Sequence, residues 1–294
     1  MSLKPTLIAL SLAVSTTAGM AYAAPSSTSS ECDAVCLKTE LPANFQSKTT
    51  KVVGGNLTPA QMAVQNVAKN PTYRTFVPST YNGNSPFPMI VVLHPSGGDQ
   101  NSAFAAQQLT QLAEKMGYII VSPLGYNSTA GYGNTYPIVQ SGYNGANNGI
   151  KLPQPQDNYL SEVAVMSTIA KVKREMNIDP YRVYLMGYGM GSIGAQHLAT
   201  KYPGEFAAIS AASGAVAASN YPYDILAQNH IAAMYVQGDE DRYTPANATR
   251  NMYLRAKQAG VDTDLVSVEN ANSQDAWVKA LPQTFNFFTQ HRKY

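Results

Sequence analysis

Met89-Ile90-Val91-Val92-Leu93 is the segment that most narrows the choice of fold. An unbroken apolar run leaves no polar face, so a strand made from it must be covered on both sides. That is the environment of a parallel sheet held between two layers of helices. The rest of the chain supplies the matching rhythm from Thr49 onward. Tyr73 to Val77, Pro88 to His94, Tyr118 to Ser122, Arg182 to Met186, Phe206 to Ala211, Ile231 to Gln237 and Thr263 to Val268 read as strands. Helices are expected at Asn101 to Met116 (capped by Asn101 or Ser102), Tyr159 to Met176, Ser192 to Lys201, Pro245 to Ala259, and Asp275 to Arg292 with an interruption at Pro282. Strands alternating with helices of this length predict an α/β class with a mostly parallel sheet, helices on both faces.

One stretch breaks the rhythm. Residues 125–158 are rich in Gly, Asn, Tyr, Gln and Pro and show little periodicity. They follow the carboxyl end of a strand, where α/β sheets bind ligands. Tyr126, Tyr132, Tyr136 and Tyr143 are candidates for a contact surface there, and a solvated surface insertion is the plainer alternative.

The chain opens like an export signal. Lys4 supplies a positive start, Leu7 to Val14 an apolar stretch, and Ala21-Tyr22-Ala23 a small-residue cleavage pattern. The apolar stretch is too short to span a bilayer, so residues 1–23 are expected to be removed and the mature chain to begin at Ala24, in a secreted or periplasmic location without a membrane anchor. Residues 24–48 read as a loose N-terminal extension before a domain over 49–294. Cys32 and Cys36 are compatible with a small disulfide clip, with free thiols or with a bond to another chain; no histidine lies near enough to suggest a metal site. The formal net charge is +2, and no basic run suggests nucleic acid. Three sequons, at Asn56, Asn127 and Asn247, matter only in a glycosylating secretory pathway.

The chemistry concentrates around Arg182-Val183-Tyr184-Leu185-Met186-Gly187-Tyr188-Gly189-Met190-Gly191, a strand running into a glycine-rich turn and then a helix. That is the context of a nucleophile elbow, G-x-S-x-G, where a strained turn lifts a serine hydroxyl above a sheet. With Ile178-Asp179-Pro180-Tyr181 before it and Tyr202-Pro203-Gly204-Glu205-Phe206 after the helix, the segment resembles secreted esterases of the α/β-hydrolase superfamily. The nearest groups are the polyhydroxybutyrate depolymerase and feruloyl esterase relatives and related peptidases, and the resemblance spans roughly residues 72–290.

The resemblance implies an α/β-hydrolase fold and assigns further positions. His94-Pro95-Ser96-Gly97-Gly98 stands where the family has its oxyanion loop, with Pro95 in place of a glycine. The implied backbone donors are Ser96 and Met190, and Tyr188 beside the elbow joins the ligand-contact set. Gly238-Asp239-Glu240-Asp241 puts the triad acid at Asp241. Ser273-Gln274-Asp275-Ala276-Trp277 stands where the family has G-H-D-x-W, which puts Gln274 at the triad histidine. Two catalytic positions have therefore changed: Gly189 has no nucleophilic atom, and an amide at Gln274 is no general base near neutral pH.

The expectation is a catalytically silent or strongly impaired relative of carboxylic ester hydrolases that binds a polymer, an ester-bearing ligand or a partner protein, without cofactor. The alternative is an active hydrolase with a non-standard nucleophile such as Ser96. Ser192 is expected to cap or face the core. A minor alternative reads Gly189-Met190-Gly191-Ser192-Ile193-Gly194 as the dinucleotide fingerprint G-x-G-x-x-G, against which stands the lack of an acidic residue after the next strand.

Overall fold

The computed structural model describes residues 58–140 and 154–293. Contacts divide the chain into Met1–Cys32 and Asp33–Tyr294, and every described residue belongs to the second unit. The expected export signal, the extension over 24–48, Cys32, Cys36, Asn56 and Tyr143 lie outside the described residues.

The central sheet has seven strands. In chain order its strands are β1 (Tyr73–Phe76), β2 (Phe87–Leu93), β3 (Ile119–Pro123), β5 (Ile178–Tyr188), β6 (Ala208–Ala212), β8 (Ala232–Gly238) and β9 (Thr263–Val268). Two short strands, β4 (Ile138–Val139) and β7 (Ala215–Val216), pair antiparallel with each other outside it. The spatial order is β1-β3-β2-β5-β6-β8-β9, and only β1 runs antiparallel to its neighbour. From β2 the chain goes first to β3 on one side and later to β5 on the other. The order therefore reverses between β2 and β5, and α/β sheets bind ligands outside the carboxyl ends of strands at such a reversal.

The helices are α1 (Pro59–Lys69), α2 (Gln107–Met116), α3 (Pro155–Glu175), α4 (Met190–Lys201), α5 (Tyr223–Gln228), α6 (Ala246–Gln258), α7 (Ser273–Lys279) and α8 (Leu281–Gln290). The β2 run behaves as its composition requires. Met89, Val91 and Leu93 enter one core with residues of α3, α4 and α6, whereas Ile90 and Val92 enter a second core with residues of α2, α7 and α8. All five are fully buried, so the sheet is covered on both faces, as the α/β-hydrolase resemblance implies.

Several boundaries differ from the sequence reading. The helix expected over 101–116 is two pieces, a 3-10 turn at Ser102–Ala105 and α2, because Ala106 takes an extended conformation (φ −83°, ψ 93°) between them. α4 starts at Met190, two residues early, because Gly189 makes the turn. The interruption expected at Pro282 falls at Ala280, between α7 and α8, so that Pro282 sits in the first turn of α8, where its missing N–H has no intrahelical acceptor to lose. The described part of the 125–158 stretch is ordered, with a 3-10 turn at Gly131–Gly133 and strand β4. α1 was not expected, although Thr58 and Gln61 form a reciprocal capping box with Pro59 between them.

Candidate active site

The elbow is built by glycines at three positions with three different jobs. A Cβ added at Gly187 would lie 2.5 Å from Gly191 C and 2.8 Å from Leu93 O, and one at Gly191 would overlap Leu93 O outright. These two let β5, the turn and α4 pass against the end of β2. Gly189 differs. Its backbone is strained for any residue with a side chain (φ 56°, ψ −120°), yet an added Cβ would meet nothing closer than Pro95 Cβ at 3.5 Å, an ordinary contact. The turn is held by Gly189 N–H donating to Ala212 O at 3.0 Å. The backbone thus has the raised geometry of a nucleophile elbow, with room for a side chain and no hydroxyl to fill it.

Facing the elbow is the His94–Gly98 loop. The N–H groups of Gly97, Gly98 and Asp99 donate to Ser128 O, Pro95 O and Ser102 Oγ at 2.8, 3.0 and 2.9 Å. Pro95 has no N–H. Among the described residues the Ser96 N–H has no acceptor, and the Met190 N–H opens α4, where the first turn has no intrahelical acceptors. These are the two donors expected for an oxyanion.

The acid side is arranged otherwise. Asp241 Oδ1 accepts from the N–H groups of Tyr243 and Thr244 at 2.8 and 3.0 Å, so it caps its own loop. Asp241 Oδ2 is buried without a hydrogen-bond partner among the described residues. The loop is docked on the one before α7: Asp239 N–H donates to Val268 O, Glu240 N–H to Ala271 O, and Ala271 N–H to Asp239 Oδ1. Hydrogen bonds from the Ala271 and Asn270 backbone hold the Asp239 carboxyl below the usual aspartate range. Thr244 Oγ1 donates to Ser213 O, and Gly214, the next residue, packs against Gly189 O, which ties this side to the elbow. Gln274 is exposed; its N–H donates to Asn272 Oδ1, the cap of α7. One turn on, Trp277 lies buried and stacks on Tyr188 at 4.8 Å and 19°.

Of the four histidines, His94 alone lies in a loop at the carboxyl ends of the strands. His94 is fully buried, with its ring nitrogens 2.8 Å from Pro95 O and 2.9 Å from Leu124 O. His197 is buried against Glu162 at 3.0 Å. His230 and His291 lie at the opposite edge, His230 just before β8 and His291 bonded to Asp262 just before β9. His94 has no exposed surface, and no hydrogen bond joins its ring to the exposed Ser96 hydroxyl. Ser192 is fully buried and donates to Gly214 O at 2.7 Å. Among the described residues no cluster of His, Cys, Asp and Glu could hold a metal ion, and no helix is long and apolar enough to cross a membrane. The segment after β6 reads Ser213-Gly214, without the acidic residue that a dinucleotide ribose needs.

The expected tyrosine surface is corrected in part. Tyr126 is exposed. Tyr132 has no exposed surface, because its positive φ of 56° turns the ring under the His94 loop. Tyr188 is buried against Trp277, and Tyr136 is half-buried, its hydroxyl 2.9 Å from Thr200 Oγ1. An exposed tyrosine that the sequence reading did not single out is Tyr243, beside Asp241. Its position just past a strand end was the available clue.

A family model named Esterase matches residues 65–293. Feruloyl esterase B of Thermothelomyces thermophilus is 29% identical over 181 residues, 62% of this chain and 52% of that protein, so the chain spans about half the length of this curated relative. A thermostable esterase of known structure superposes with a TM-score of 0.56 at 19% identity, covering 75% of this chain and 59% of that one. An S-formylglutathione hydrolase from Agrobacterium tumefaciens gives 0.54 at 17% identity, covering 75% and 89%. At such identities the likeness to the solved structures is one of fold.

Proposed function

This chain belongs to the esterase family, and from that premise we propose that it is a catalytically silent member, which binds an ester-bearing ligand, a polymer or a partner protein at its crest without cleaving it. The observation that carries the reading is Gly189: a strained elbow that faces two unspent N–H donors and presents no atom able to attack. The burial of His94, the one histidine in the crest loops, supports it independently, because it leaves water and Ser96 without an exposed imidazole as general base. A cleft with these donors and no nucleophile favours an acyl oxygen and leaves the ester bond intact.

Purified protein incubated with p-nitrophenyl acetate should give no turnover above buffer, and a fluorophosphonate probe should label no serine. Turnover by the purified chain overturns the proposal. If that activity disappears in Ser96→Ala, the non-standard nucleophile is the correct reading instead. We propose further that residues 1–23 direct export, as Lys4, Leu7 to Val14 and Ala21-Tyr22-Ala23 suggest. Protein recovered outside the cytoplasm should begin at Ala24, and recovery with Met1 intact would refute this.

A further inference from the structure

The described part of the 125–158 stretch passes beneath the His94 loop, and two of its residues, Ser128 and Tyr132, touch that loop's backbone. Gly131, Tyr132 and Gly133 are consecutive residues with positive φ of 69°, 56° and 88°. For the two glycines this costs little; for tyrosine it is strained, and such strain persists only where the surroundings enforce it. Here they do. A Cβ added at Gly194 of α4 would lie 2.6 Å from Tyr132 Cδ2, so the ring occupies the space that this glycine leaves open. Gly133 N–H donates to Asn158 Oδ1 at 2.7 Å, and Asn158 Nδ2 donates to Asn134 O at 2.9 Å, which anchors the wedge to α3. Beside it, Glu162 accepts from His197, Lys201 and Tyr202. Burial alone would raise its carboxyl, but these hydrogen bonds outweigh burial and hold it below the usual range.

What the wedge delivers is a hydroxyl. Tyr132 OH donates to His94 O at 3.3 Å, and its ring meets the His94 ring edge-on at 5.4 Å. Burial pushes the phenol well above its ordinary pKa, so it remains a donor. His94 O belongs to the peptide that leads into Pro95, and the pyrrolidine ring fixes φ at Pro95. The Pro95 carbonyl, in the same peptide as the Ser96 N–H, accepts from Gly98 N–H at 3.0 Å, so with the His94 carbonyl held as well the Ser96 N–H has little freedom left.

We propose that Tyr132 is a positioning residue, which sets the Ser96 N–H for an acyl oxygen by holding the His94 carbonyl from below. Only the purpose, presenting a donor to an acyl oxygen, rests on the proposed reading of the crest. The test has two arms. In the chain as it stands, Tyr132→Phe keeps the ring and removes the donor. Amide hydrogen exchange at Gly97, whose N–H donates to Ser128 O, should rise about tenfold, the weight of one ordinary hydrogen bond, while amides of α3 and β2 keep their rates. Unchanged exchange over residues 95–99, an equal rise throughout the protein, or loss of the fold in Tyr132→Phe would each overturn the proposal, since each assigns Tyr132 to packing alone. In the background Gly189→Ser with Gln274→His, adding Tyr132→Phe should lower kcat for p-nitrophenyl acetate several-fold with KM unchanged; a rise in KM alone counts against it. If that background is folded but inactive, the acid side has drifted too far to be rebuilt, and the exchange arm alone decides the role of Tyr132.

Discussion

The two halves of the crest are built in opposite ways. On the elbow side every backbone feature is present: close-packed Gly187 and Gly191, the strained turn at Gly189, and the Ser96 and Met190 donors. What is missing is a single side chain. On the acid side Asp241 keeps its carboxyl, but one oxygen is spent on its own loop, the other is buried without a partner, and Gln274 points to solvent. The comparison teaches that packing fixes the elbow's backbone independently of any side chain at Gly189. Gly191 cannot change without displacing β2, whereas nothing in the fold depends on a hydroxyl at Gly189.

The largest expected effect would break this contrast. Gly189→Ser together with Gln274→His should raise p-nitrophenyl acetate turnover by about 10³-fold over either single variant, since triad members act as a unit. A folded but inactive double variant would show that the acid side has drifted beyond repair. Next, Gly191→Ala should destabilise the protein by about 3 kcal/mol or prevent folding, because the new Cβ overlaps Leu93 O, while Gly204→Ala, with open space around it, serves as the silent control. Denaturant midpoints check the pair; equal effects would remove the packing argument. Gly189→Ser alone should cost about 1–3 kcal/mol from backbone strain without any clash, and a neutral result would mean that the turn is not strained.

Asp241→Ala should cost about 1 kcal/mol through loss of its loop cap, with Asp241→Asn milder because Oδ1 can be kept. The smallest effect is one of pH. Asp239 is depressed in the folded protein, so its tie to Ala271 is complete above the ordinary aspartate value of 3.8 and is lost as pH falls below it. Exchange at the Ala271 amide should speed up only in that range.

The same division explains what was legible in the sequence. Gly187, Gly189 and Gly191 announce the elbow because glycine spacing records where backbones approach, and the β2 run announces a doubly covered strand. Tyr132 was misread because its burial depends on a left-handed turn between two glycines and on a gap at Gly194 far along the chain, neither of which has a local signature. β4 and β7, of two residues each, are too short for any period to show. The signal for α1 is its capping box at Thr58 and Gln61, a short motif with no buried residue behind it. The burial of one Asp241 oxygen is set by tertiary packing that no motif encodes.

The Tyr188–Trp277 stack has a practical consequence. Tyr188 immediately precedes Gly189, Trp277 follows Gln274 by three residues on α7, and the chain contains no second tryptophan. The indole fluorescence therefore comes from one ring, stacked on the residue before Gly189. A molecule that displaces either half registers as a change in emission, so candidate ligands can be screened against the unlabelled protein without any turnover assay.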